Sequence, residues 1–293
     1  MAKVPRSLVG KVVAITGGAR GIGEATARAI VAKGAKVAIG DLDVELAQKT
    51  AGVLGGETIA LELDVTDRES FGSFISQVEE RLGPIDVMIN NAGIMPIGPF
   101  IEETDETAQR MIDINLHGVI YGTKLVMPGM MRRKSGHIVN IASQAGKGGF
   151  PGGATYCATK HAVVGLSEAV RAELRDYEVE VSVVMPAVVN TELGSGLVEA
   201  RGVKISEPSD VADAIVDALE KPKFDVWVPK STVGIFKVMT LMPRAGREAI
   251  ARALKADQVL WNADPKARAA YEDRAAHSEP GLEEPVAEKV ESS

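Results

Sequence analysis

Short, almost wholly apolar runs alternate along this chain with longer segments in which apolar residues recur every three or four positions. The first run, residues 12–15, stops at a glycine cluster, and residues 22–32 follow with helical periodicity, so the start reads strand, tight turn, helix. Gly34 closes that helix. The alternation then predicts strands over 36–39, 58–63, 85–89, 137–141, 180–184 and 224–228. The intervening helices are predicted over 44–54, 68–81, 106–131, 154–176 and 209–219.

Strands that are apolar on both faces and separated by helices imply a parallel sheet covered on both sides. The fold class is therefore α/β, a doubly wound parallel sheet of about seven strands with helices on both faces, occupying residues 1–230. In such sheets a ligand sits at the carboxyl ends of the strands, beside the switch in strand order. The connection over 190–207 has no clear element and suits a mobile lid. Beyond Pro229 the pattern changes. Residues 233–242 are apolar and 245–254 amphipathic, so 231–276 form a helical C-terminal appendage, while 277–293, rich in Glu, Pro and Ser, reads as a disordered acidic tail.

Composition narrows the function. With 45% hydrophobic and 25% charged residues the chain is an ordinary globular one. A net charge of −7 gives no long-range attraction to phosphate backbones or to anionic lipid headgroups, so nucleic acid is not expected as a partner and a small molecule or another protein is. The single cysteine, Cys157, cannot make an internal disulfide; a reducing, cytoplasmic location fits. No signal peptide is expected at the N-terminus, and no apolar run reaches the length of a membrane span, since the most suspicious one is interrupted by Lys237.

The candidate chemistry gathers at strand ends. Thr16-Gly17-Gly18-Ala19-Arg20-Gly21-Ile22-Gly23 joins the first strand to the first helix, where glycines let the backbone approach a pyrophosphate and helix N–H groups favour its charge. A plain glycine turn is the alternative. Asp41, at the end of the second strand, favours the first reading, because a carboxylate there accepts both adenosine ribose hydroxyls. It also repels a 2′-phosphate, so NAD is expected over NADP, although Arg20 offsets part of that repulsion. Asp64 and Val65 end the third strand, with Asp64 placed to accept from the adenine amino group. Asn91, Ala92 and Gly93 follow the fourth and can lie against the adenosine.

Tyr156 and Lys160 stand one helical turn apart on one face. An ammonium beside a phenol favours the phenolate, so Tyr156 is a candidate general acid/base with a pKa lowered by Lys160. Ser143 reaches the same sheet edge and can hydrogen-bond a substrate oxygen. Asn115, within the long predicted helix, has an amide that can anchor a water leading to Lys160, or simply be satisfied between helices.

Together, Thr16-Gly17-x-x-x-Gly21-Ile22-Gly23, Asn90-Asn91-Ala92-Gly93, Asn115, Ser143 and Tyr156-x-x-x-Lys160 resemble the short-chain dehydrogenase/reductases, the single-domain type with a C-terminal extension. The resemblance runs from Leu8 to Pro229 and implies a Rossmann fold. It also implies a catalytic tetrad of Asn115, Ser143, Tyr156 and Lys160, with Lys160 on the nicotinamide ribose. Pro186, Val189 and Thr191 would meet the carboxamide, with Ala187 standing where that family usually has glycine. It further implies a homotetramer or homodimer.

His117 and His161 lack metal-ligand partners at useful spacing, so no metal is expected, and Cys157 reads as a small buried residue. The appendage and the apolar segments 94–97 and 193–198 suggest a lipophilic substrate. The expected function is thus an NAD(H)-dependent oxidoreductase interconverting a secondary alcohol and a ketone by direct hydride transfer. The alternatives are a non-catalytic NAD(P)-binding regulator or scaffold, and an enzyme in peripheral contact with a membrane through residues 233–242.

Overall fold

The structure, a computed structural model, describes residues 5–277. Its sheet strands are β1 (Val12–Thr16), β2 (Lys36–Asp41), β3 (Thr58–Glu62), β4 (Val87–Asn90), β5 (Gly136–Ile141), β6 (Val179–Pro186) and β7 (Asp225–Val228). Between them run α1 (Gly21–Val31), α2 (Val44–Leu54), α3 (Arg68–Leu82), α4 (Asp105–Ile112), α5 (Gly118–Arg133), α6 (Ala154–Glu173) and α7 (Pro208–Glu220). After β7 come α8 (Thr232–Leu241), α9 (Arg244–Ala253) and α10 (Pro265–His277). All pairings are parallel, in the order β3-β2-β1-β4-β5-β6-β7. The doubly wound α/β sheet of seven strands expected from the sequence is therefore present, and the order reverses between β1 and β4.

The pleat of β1 explains the two layers. Val13 and Ile15 point to one face, where they pack with Ala27 and Ile30 of α1 and Val211 and Ile215 of α7. Val12 and Ala14 point to the other, against Phe71, Phe74 and Val78 of α3 and Val126 and Met130 of α5. Each large apolar side chain buried there stabilises the fold by roughly 1.5–3 kcal/mol.

Local signals set the helix starts. Asp67 accepts hydrogen bonds from the N–H groups of Glu69 and Ser70, and Thr104 accepts from Thr107. Glu207 and Asp210 cap α7 reciprocally, with Pro208 at its first position.

Several predicted bounds change. The long helix over 106–131 is interrupted by a π-helical segment, Asp113–His117, that separates α4 from α5. The fourth strand lies at Val87–Asn90 rather than 85–89, and α6 ends at Glu173, ahead of a short 3-10 turn. The acidic-tail reading of 277–293 falls, apart from His277, outside the described residues.

The appendage does not stop at the amphipathic segment ending at 254. Val259 and Leu260 join Met95, Met111 and Tyr156 in one apolar cluster, and α10 returns over the carboxyl ends of the strands.

Candidate active site

The turn after β1 is built by what glycine omits. Gly17 takes φ +62°, and a Cβ there would lie 2.9 Å from the Ala92 Cα. A Cβ on Gly23 would lie 2.1 Å from the Gly17 carbonyl oxygen and 2.8 Å from the Asn91 amide nitrogen. Thr16 Oγ1 accepts from the backbone N–H groups of Asn91 and Ala92 at 3.0 Å, while Asn91 Nδ2 donates to the carbonyls of Thr16 and Gly17 at 2.9 Å. These bonds lace the β1 turn to the segment after β4. Helix α1 has no side-chain cap, so its first N–H groups remain for a ligand.

Asp41 ends β2 with its carboxylate accepting from the N–H of Ala19 (3.0 Å) and of Asp43 (3.1 Å). Burial pushes its pKa above the usual carboxylate value, against the lowering effect of those two bonds and of Arg20. Arg20 donates to Asp43 at 2.6 Å and to Glu192 at 3.4 Å. Asp64 Oδ1 accepts from both the N–H and the hydroxyl of Thr66.

At the far end, Tyr156 and Lys160 project from the first turns of α6 and are both buried. The Ser143 hydroxyl accepts from the Ala145 N–H at 3.1 Å, donates to the Pro186 carbonyl at 3.4 Å, and favours the ionised form of the Tyr156 phenol. Lys160 Nζ donates to the Ile141 carbonyl at 3.0 Å and lies 5.6 Å from the Tyr156 ring centroid. Burial pushes the Tyr156 phenol up to about 12, with the Ser143 hydroxyl opposing, and pushes the Lys160 amine down to about 8. The lowered phenol expected from Lys160 is therefore not found. Both groups lose water, which disfavours the charged form of each.

Asn115 sits in the π-helical segment, fully buried. Its Oδ1 accepts from Ile94 N–H and its Nδ2 donates to the Ile94 carbonyl, both at 2.8 Å. Both ends of the amide thus clamp the backbone that follows Gly93, and Nδ2 also reaches the Thr159 hydroxyl at 3.3 Å, so this side chain is satisfied between segments. Asn90 likewise turns away from the ligand side, donating to Asn140 Oδ1 at 2.8 Å in a buried chain that continues to Ser167.

One cleft of about 1950 Å³ collects the site. Gly17, Arg20, Gly21, Ile22, Asp41, Asp64, Val65, Asn91, Ala92 and Gly93 line it, with Gly93 close to Lys160. Ser143, Tyr156, Lys160, Pro186, Val189 and Thr191 line it too, with Thr191 against Gly21. Gly23 and Asn115 stand behind the wall as supports. Cys157 is buried with its thiol pushed up by burial, His117 pairs with Asp113, and His161 Nδ1 bonds to the Cys157 carbonyl.

Two residues at the substrate end escaped the sequence reading. Arg268 of α10 is 2% exposed and donates to the carbonyls of Met95 (2.8 Å), Leu193 (2.9 Å) and Ser195 (3.0 Å), with Glu272 on its Nε at 2.8 Å. Tyr271 Oη accepts from Met95 N–H at 2.6 Å, and its ring carries the Arg268 guanidinium at 4.9 Å. The buried face of α10 is Arg268, Tyr271 and Ala275, an i, i+3, i+7 stripe that is visible only if an arginine is admitted to it.

The cradle at Gly17 and Gly23, the uncapped α1 and the carboxylate at Asp41 fit a dinucleotide. This chain belongs to the short-chain dehydrogenase family, whose model matches residues 11–202, and it is an oxidoreductase with a Rossmann fold. It is similar to the sorbitol dehydrogenase of Cereibacter sphaeroides, 39% identical over 65% of this chain and 75% of that protein. It is 39% identical to the galactitol 2-dehydrogenase of Agrobacterium fabrum over 62% of this chain and 72% of that one. A crystal structure of a short-chain dehydrogenase/reductase from Burkholderia phymatum in complex with NAD superposes with a TM-score of 0.74 at 26% identity, covering 80% of this chain and 94% of that one. Residues 203–277, which include α8, α9 and α10, lie beyond the family match.

Proposed function

We propose that the protein interconverts a secondary alcohol and a ketone with NAD(H), using Tyr156 as acid/base. The observation that carries this reading is the placement of the Ser143–Tyr156–Lys160 group in the same cleft as the glycine turn and Asp41. The nicotinamide cofactor supplies the hydride acceptor or donor. In reduction the neutral Tyr156 phenol, held protonated by burial, gives its proton to the carbonyl oxygen. Ser143 hydrogen-bonds that oxygen and fixes its distance from the phenol. Lys160, anchored on Ile141, takes the cofactor's nicotinamide ribose, and Asn115 holds Ile94 and with it the Gly93 backbone. Val189 and Thr191 take the carboxamide.

NAD is favoured over NADP because the Asp41 carboxylate at the end of β2 would repel a 2′-phosphate and Arg20 is engaged by Asp43 and Glu192. The relatives' names point to sugar alcohols, whereas Ile94, Phe150, Phe236, Met239 and Leu260 give this cleft an apolar substrate end. We take the substrate to be apolar. Turnover followed by nicotinamide absorbance, with NAD and NADP against alkyl, aryl, steroid and polyol alcohols, tests all three points. Tyr156→Phe is expected to lose about 10²–10⁴-fold in turnover with the cofactor still bound. Binding of NAD without turnover of any substrate favours a non-catalytic regulator. Faster turnover of polyols refutes the apolar substrate.

A further inference from the structure

Helices α8 and α9 are fastened loosely. Of α8 only Thr232 is buried, and of α9 no residue is, although α8 carries six large apolar side chains. Their arrangement is two-sided. Ile235, Phe236 and Met239 share a face with Thr232 and line the cleft, where Phe236 packs on Trp227 at 4.9 Å between ring centroids. Lys237, Val238 and Leu241 fall on the opposite face, with Val238 54% and Leu241 88% exposed.

The charge of this hairpin also runs against that of the chain. Residues 230–255 hold six basic residues (Lys230, Lys237, Arg244, Arg247, Arg252 and Lys255) and one acid, Glu248, a net +5 within a protein of net −7. All six are exposed. Arg244 and Arg247 also line the cleft, so part of this charge stands at its mouth.

Exposed leucine and valine on one side of an otherwise cleft-facing helix, within a cationic segment of an anionic protein, match the interface of an anionic bilayer. Apolar side chains enter the headgroup boundary there and basic ones meet the lipid charge. We propose that the α8–α9 hairpin docks the protein on an anionic lipid surface, setting the mouth of the substrate cleft beside the bilayer. This does not depend on the reaction catalysed, because docking is read without substrate.

The test is flotation of the full-length protein with phosphatidylcholine vesicles and with vesicles containing about one third phosphatidylglycerol. Wild type is expected to float with the anionic vesicles, to remain behind with the neutral ones, and to be released by high salt as its surface charges are screened. Each basic residue at such a surface strengthens partitioning by about fivefold. The triple variant Lys237→Glu/Arg252→Glu/Lys255→Glu, whose three positions do not line the cleft, is therefore expected to float at least about a hundredfold less, and Leu241→Ser about tenfold less. Circular dichroism checks that both fold. No flotation of wild type, equal flotation on neutral vesicles, or undiminished flotation of both variants overturns the proposal. Variants that change the mass seen by light scattering while leaving flotation intact also overturn it, and mark the face as a subunit interface.

Discussion

Replacing Arg268 with methionine removes three hydrogen bonds that tie α10 to residues 193–195 and to Met95, leaves the Ser195 hydroxyl on the Ala267 carbonyl and Arg274 on Glu192, and keeps most of the side-chain length. In the native protein the guanidinium donates to three carbonyls, two of them in the lid (Leu193 and Ser195) and one after β4 (Met95). Hydrogen bonds from a charged donor contribute roughly 1.5–3 kcal/mol each. The low end applies here, because the lid carbonyls can turn to water once released and because burying the guanidinium itself is unfavourable. A net loss of about 2–4 kcal/mol follows, equal to about a 30- to 1000-fold shift in the local opening of residues 191–198.

Amide hydrogen exchange over residues 191–198 reads this directly and should accelerate by that factor, while exchange in β1 and β5 stays slow. Substrate KM should rise more than cofactor affinity falls, since Arg268 lies at the substrate end. Unchanged exchange over 191–198 would refute the claim that Arg268 holds the lid.

Other expectations follow from the same geometry. Gly23→Ala places a methyl 2.1 Å from a backbone oxygen, an overlap that costs about 1–3 kcal/mol as the turn shifts. NADH fluorescence titration should show about a tenfold to hundredfold weaker complex, and unaltered affinity would discount the cradle. His137, buried with its Nε2 on Ser182 Oγ at 2.8 Å, has its pKa pushed from 6.5 down to about 3, first by burial and then by the charge of Arg6. The unfolded chain therefore takes up the proton first, and stability is lost as pH falls from 6.5 toward 3, by up to about 5 kcal/mol. His137→Gln should lose less stability than wild type between pH 7 and 4 in urea melts; parallel losses would show that His137 is not the group responsible.

The sequence by itself determined the strand and helix alternation, because nearly every strand is a short apolar run bounded by a turn signal and both of its faces are covered. It also determined the site types. Gly17, Gly23, Asp41, Ser143, Tyr156 and Lys160 all fall at strand ends or first helical turns, and a parallel sheet brings such ends to one edge whatever the loops between them do. Only the tertiary structure decided how these groups are tuned and enclosed. The phenol of Tyr156 rises instead of falling because burial, which no spacing reveals, disfavours its charged form. Asn115 serves Ile94 because a π-helical turn rotates it toward that backbone, and a one-residue irregularity leaves no periodic trace. The roof came last: α10 reads as a polar helix, and its buried face became recognisable only once Arg268 met three carbonyls contributed by segments more than seventy residues away.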